Sequence, residues 1–147
     1  MSRVSVNIKR LDPSVELPRY AYSGDAGLDL RANETVDIPP HERRLVSTGL
    51  AIALPDGYAG FVQPRSGMAL KHGLSIANTP GLIDAHYRGE LKIIAVNLDS
   101  SETIHIEKGE RIAQLVIQEV PVVDLVEVDE LDETDRGSGG FGSSGVQ

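Results

Sequence analysis

Leu50-Ala51-Ile52-Ala53-Leu54-Pro55-Asp56-Gly57 sets a large aliphatic residue at every second position and then stops at a Pro-Asp-Gly turn. Successive side chains of a strand point to opposite faces, so the spacing predicts a β-strand with Leu50, Ile52 and Leu54 turned to a core. The same signals recur on either side of it. Val4, Val6 and Ile8 alternate with Ser5, Asn7 and Lys9, Leu91 to Leu98 is apolar on both faces, and Arg111 to Glu119 and Val122 to Val128 add two more expected strands. Pro39-Pro40, Asp99-Ser100 and Lys108-Gly109 supply turns between them. Many short strands at this spacing predict an all-β sandwich or barrel, and 147 residues suit one domain with a sizeable core.

Composition removes several classes of function. The chain has no Cys, which excludes disulfides, thiol nucleophiles and thiolate metal sites. His41, His72, His86 and His105 lack metal-ligand spacing and read as surface or loop residues. The N-terminus has no apolar signal-peptide core, and no run reaches the ~18 apolar residues of a membrane span, so the expectation is a soluble, cytoplasmic protein. The net charge is −8, but Asp124 to Asp135 holds seven acids and no base. The remaining body, with 15 acids against 14 bases, has room for a local cationic pocket. Its scattered bases and few rings do not suit a nucleic-acid face.

Five blocks carry polar residues in arrangements that suit chemistry. In Asp25-Ala26-Gly27-Leu28-Asp29-Leu30, an extended backbone would put Asp25, Gly27 and Asp29 on one face, a hard-oxygen set suited to Mg²⁺. Pro64 to Gly73 breaks the strand pattern. Ser66 is a candidate N-cap and Gly73 a left-handed terminator, predicting a helix of one to two turns whose start, beside Arg65, can hold a phosphate or simply be a capped connector. Asn78 to Glu90 is dense in turn formers and reads as an irregular hairpin, offering backbone groups, a carboxamide, a carboxylate and a phenol to a base and sugar. Arg111 and Gln114 have opposite parity in a regular strand, so a common role requires either a bulge or sites on different subunits. The Gly/Ser-rich tail from Arg136, with the single ring of Phe141, reads as a flexible end or as an arm that orders on a ligand.

In this order, the five blocks resemble the five motifs of the homotrimeric dUTPases, and the resemblance spans nearly the whole chain. It implies a distorted jelly-roll or β-clip-type barrel over residues 1–135, a flexible C-terminal arm over 136–147 that closes over the site, and a trimer with active sites at subunit interfaces. It also implies residue roles. Asp29 would help hold Mg²⁺ through water, while Arg65, Ser66 and Gly67 grip the phosphates. Asn78 and the backbone of Leu82 and Ile83 would read uracil, Tyr87 would pack under the deoxyribose, and Asp84 would orient and deprotonate the attacking water. Gln114 would contact the phosphate–water–metal region, with Arg111 supporting it from a neighbouring chain, and Lys92 would touch substrate. In the arm, Arg136 would meet the γ-phosphate, Phe141 would cap the uracil, and Gly142, Ser143 and Ser144 would wrap the phosphates. Ser144 stands where many members carry Thr, which keeps the hydroxyl and loses a methyl.

The implied reaction is dUTP hydrolysis to dUMP and pyrophosphate, supplying dUMP for dTTP synthesis and limiting uracil in DNA. The alternatives are a dCTP deaminase or a bifunctional deaminase–diphosphatase, which need a Glu base beside cytosine C4, and a non-catalytic nucleotide-sensing trimer.

Overall fold

Residues 2–146 are described by a computed structural model. In chain order its elements are β1 (Asn7–Arg10), β2 (Leu28–Arg31), β3 (Val36–Ile38), β4 (Arg43–Ala53), β5 (Tyr58–Pro64), α1 (Ser66–His72), β6 (Leu74–Ile76), β7 (Gly81–Ile83), β8 (Glu90–Asn97), β9 (Ile104–Ile106) and β10 (Arg111–Glu119). One four-stranded antiparallel sheet runs β1-β4-β8-β6, a second runs β2-β10-β5-β7, and β3 pairs with β9.

Both large sheets feed one buried cluster. Val46, Leu50 and Ile52 of β4 and Leu91 and Ile93 of β8 come from the first sheet, Leu30 of β2 and Ile112 and Leu115 of β10 from the second, and Ile38 and Ile106 from the small one. Burying each such side chain contributes roughly 1.5–3 kcal/mol before chain entropy is charged against it. Buried Asn97 ties the end of β8 to the small sheet: its Nδ2 donates to the Ile38 and Glu102 carbonyls at 2.8 Å each, and its Oδ1 accepts the Asp99 N–H at 2.8 Å. The all-β, jelly-roll-type expectation holds, with sheets that stay open instead of closing into a barrel. No helix among the described residues is long and apolar enough to cross a membrane.

Local readings needed correction. The first strand starts only at Asn7 and its four residues are all exposed; as an edge strand it adds hydrogen bonds to β4, and of its expected apolar face only Val6 packs on the core. Val122 to Val128 forms no strand in the chain, and its apolar side chains lie exposed, Leu125 to 94 %. Asp25 is not on a strand face with Asp29, because its carboxylate accepts the Tyr22 N–H at 2.8 Å in a turn before β2. The helix begins one residue earlier than expected. Arg65 is the extended N-cap and Ser66 the first helical residue, with no side-chain cap, while Gly73 closes the helix at φ 71° as expected. The expected hairpin is formed by β6 and β8, and its long loop contributes β7 to the opposite sheet, on the free edge of β5.

Candidate active site

The β6–β8 loop builds a pocket of about 230 Å³. Leu45, Val62, Ile76, Ile93 and Ile94 give it an apolar lining, and Asn78, Gly81, Leu82, Ile83, Asp84, Tyr87, Glu90 and Lys92 complete it. Registers Gly60↔Ile83 and Val62↔Gly81 fix the depth of β7 beside β5. At Gly60 an added Cβ would come within 3.2 Å of the Ile83 Cβ, so a larger residue there would press β7 outward by a few tenths of an ångström. Beyond β7 the loop is braced by Arg88, whose Nη1 donates to the Ala85 carbonyl at 2.7 Å and to the Tyr87 carbonyl at 3.1 Å. His86 reaches Asp56 of the β4–β5 turn at 2.7 Å. Tyr87 donates its hydroxyl to the Glu90 carbonyl at 2.8 Å, which fixes the ring beside the pocket.

A second set of residues gathers where β2, β10 and the end of β5 run side by side. Asp29, Gln114 and Gln63 share one register row. The Asp29 side chain, only 16 % exposed, takes Arg65 Nε at 3.7 Å on one oxygen and Arg111 Nη1 at 3.5 Å on the other. Arg65 Nη1 also donates to the Arg111 carbonyl at 3.2 Å. The parity conflict between Arg111 and Gln114 is resolved by a bulge. Arg111 opposes Arg31 and Ala113 opposes Leu30, so Ile112 is an extra residue that returns Arg111 to the side of Asp29. Ser66 and Gly67 follow at the start of α1, where first-turn N–H groups have no helical acceptor, and the space beside the Gly67 Cα is open.

The two sets share one sheet, with Asp29 on its β2 edge and Ile83 on its β7 edge. From β2 to β7 is three strand spacings, ~14 Å, and from the Gln63 row to the Gly60 row is three residues, ~10 Å, so Asp29 and Ile83 of one chain are ~17 Å apart. The tail stands apart from both. Its hydrogen bonds are local turns, including Arg136 Nε to the Gly139 carbonyl at 2.8 Å and the Ser143 N–H to the Gly140 carbonyl at 3.1 Å, and Phe141 is fully exposed. The structure thus brings Asn78, Leu82, Ile83, Asp84, Tyr87 and Lys92 together, and separately Asp29, Arg65, Arg111 and Gln114. Arg136, Phe141, Gly142, Ser143 and Ser144 join neither group.

Sequence reasoning missed three supporting residues. Gly27 lies under Gln114, and a Cβ there would come within 2.8 Å of the Gln114 Oε1. Gly89 leaves room for the Tyr87 ring, whose Cζ is 2.6 Å from where a Cβ would sit. Glu90 spans from β8 to Ser47 and Gly49 of β4. The glycines were visible as chain breaks, but what they make room for depends on residues 87 and 2 positions away respectively, and only the former is distant enough to need the fold.

A ring-sized apolar pocket edged by amide, carboxylate and phenol, together with guanidinium groups around one carboxylate, is a set of groups that fits a nucleoside phosphate. The dUTPase family model matches residues 14–145. The deoxyuridine 5'-triphosphate nucleotidohydrolase of Corynebacterium diphtheriae is 58% identical over 141 residues, 96% of this chain and 93% of the relative. That of Thermobifida fusca is 56% identical over 142 residues, covering 97% and 79%. Among solved structures, the Staphylococcus bacteriophage 80alpha dUTPase with dUpNHpp superposes with a TM-score of 0.89 at 35% identity, over 97% of this chain and 99% of that one. The chain belongs to the dUTPase family.

Proposed function

We propose that the chain hydrolyses dUTP to dUMP and pyrophosphate, with Mg²⁺, in a homotrimer whose active sites combine groups from more than one chain. The observation that carries the reading is the pocket of Asn78, Leu82, Ile83, Asp84 and Tyr87, standing in a chain matched to the dUTPase family over residues 14–145. In this reading Asn78 and the β7 backbone read the uracil edge. Cytosine would offer a donor where uracil offers an acceptor and leave buried groups unpaired, a mismatch worth up to ~10⁴–10⁵ in kcat/KM. The thymine methyl would meet the β7 backbone, and a ribose 2′-OH would meet Tyr87.

Asp84 orients water for in-line attack on the α-phosphorus and takes its proton, while pyrophosphate leaves on the opposite side. Arg65, Ser66 and Gly67 hold the triphosphate, and Arg65 with Arg136 offsets charge shifting to the leaving group. Gln114 and Arg111 steady that region, and Lys92 touches substrate. Asp29 suits a Mg²⁺ ion held mainly by the triphosphate, since such ions take one or two protein carboxylates and keep several waters. Its half-buried carboxylate, and the lack of a cluster of three or more ligating side chains among the described residues, fit that mode better than a protein-only cage. Bound there, Mg²⁺ supplies charge neutralisation to the phosphates. Residues 136–147, of which Gln147 lies outside the described residues, would supply an arm that closes over the site, with Phe141 stacking on uracil and Gly142, Ser143 and Ser144 wrapping the phosphates.

Association is supported by the ~17 Å between Asp29 and Ile83 within one chain, and by the exposed apolar run Val122, Val123, Leu125, Val126, Val128 and Leu131, which a partner would cover. The testing experiment is pyrophosphate release from dUTP, dCTP, dTTP and UTP, with Mg²⁺ and with EDTA, alongside molar mass by sedimentation. Mg²⁺-dependent conversion of dUTP alone to dUMP by a three-chain species is expected. Ammonia from dCTP would transfer the chain to the deaminase branch, and dUTP binding without turnover would make it a sensor.

A further inference from the structure

The β4–β8 ladder is regular from Arg43↔Val96 to Ser47↔Lys92 and resumes at Ala51↔Glu90, so Thr48, Gly49 and Leu50 stand against Leu91 alone. A bulge of this kind leaves backbone groups without ladder partners. The Glu90 carboxylate fills that place. Its Oε2 accepts the Gly49 N–H at 2.9 Å and the Ser47 hydroxyl, and these bonds, the Ser47 one foremost, hold the carboxyl below its ordinary range. At the other end of the same residue, the Glu90 carbonyl accepts the Tyr87 hydroxyl at 2.8 Å. Gly89, between them, has no Cβ to push the ring away. Tyr87, Glu90 and Lys92 line the pocket, whereas Ser47 does not.

We propose that Glu90 is a positioning residue: its side chain, locked into the β4 bulge by Ser47 and Gly49, fixes the carbonyl that holds the Tyr87 hydroxyl, and thereby sets the ring that discriminates deoxyribose from ribose. The inference rests on the assignment of Tyr87 as the sugar platform. The bulge is then part of substrate selection although none of its β4 atoms meets the nucleotide. A hydroxyl pinned at 2.8 Å on a short Tyr-Arg-Gly-Glu turn leaves the ring little freedom, and a shift of ~1 Å in such a group is enough to change rates by up to ~10²-fold. Ser47 is the informative position, because it reaches Tyr87 only through Glu90.

The test measures kcat and KM for dUTP and for UTP in full-length Ser47→Ala and Glu90→Gln proteins, each with Tyr87 and with Tyr87→Phe. Far-ultraviolet circular dichroism selects variants that keep the parent fold, and Ser47→Ala, a single-hydroxyl deletion, serves if Glu90→Gln does not. With Tyr87 present, the dUTP-over-UTP ratio of kcat/KM is expected to fall about tenfold. With Phe at position 87, the same substitutions should change it less than twofold, since the bond they act through is already gone. An unchanged ratio in both substitutions overturns the proposal. So does an equal fall in both backgrounds, which would mean a general loosening of the loop, and so does a Tyr87→Phe protein that discriminates as the parent does. Tyr87→Ala separates the two levels. Normal UTP exclusion in that variant removes the sugar-platform assignment and this inference together, whereas admitted UTP with unaffected Ser47→Ala and Glu90→Gln removes this inference alone.

Discussion

Asp84 stands exposed on the pocket rim, whereas Asp29 is clasped by Arg65 and Arg111, and these surroundings suit the two carboxylates to different work. An unclasped carboxylate is free to turn toward a water, while one between two guanidinium groups is held in place. Asp84→Asn should lower kcat by ~10²–10⁴-fold and alter dUpNHpp affinity far less. Steady-state turnover beside calorimetric binding checks this, and equal turnover would take Asp84 out of the general-base role. Gly27→Ala tests the support of Gln114. The new methyl meets the carboxamide at 2.8 Å and the Gln114 Cβ at 3.0 Å, so the side chain must shift, at a cost of about 1–3 kcal/mol in stability. We expect a lower melting temperature and a lower kcat; a variant that melts and turns over like the parent would show that Gln114 adjusts without consequence.

At the scale of elements, the β10 bulge explains what could and could not be read beforehand. Two residues of opposite parity at 111 and 114 were legible as a conflict, but a bulge is settled by the pairing of β10 with β2, which the β10 sequence alone does not encode. Alternation located part of the core, because Leu50, Ile52 and Leu54 obey a period that burial enforces. It failed at Val122–Val128, where β-branched residues meet the local preference of a strand but pair with no strand among the described residues. The pocket residues were legible as a block of turn formers and through family resemblance, while Glu90 was not, since its partners lie more than 40 residues away on β4. The small β3–β9 sheet yields a pH prediction. His105 bonds Glu107 at 2.6 Å and Asp37 at 2.5 Å, and these carboxylates, Glu107 first, raise its pKa to about 9. A raised pKa means that the folded state binds the proton more tightly, so the contribution is complete below the unfolded value of ~6.5 and fades as pH rises through about 9. The melting temperature should therefore decline over that interval, and His105→Gln should flatten the decline; an unaltered slope would assign it to other groups.

For the molecule as a whole, the tail and the sheet edges matter most. Closing an arm of about ten residues costs ~1–2 kcal/mol per residue in backbone entropy, so only a ligand that engages it at several points keeps it shut. Truncation after Asp135 should leave the sedimentation behaviour intact and reduce turnover of dUTP, whereas undiminished turnover would leave the arm without a catalytic part. The ~17 Å between Asp29 and Ile83 of one chain has a genetic corollary under the proposed shared site. If each site joins the pocket of one chain to the cluster of the next, then Asp84→Asn and Arg65→Ala damage different halves of it. Two such inactive chains, unfolded together and refolded in equal amounts, should regain about one quarter of the parent activity, because that share of sites draws both halves from undamaged donors. Alleles that are null alone would complement when co-expressed, and a cell could carry two broken copies of this gene and still have the enzyme.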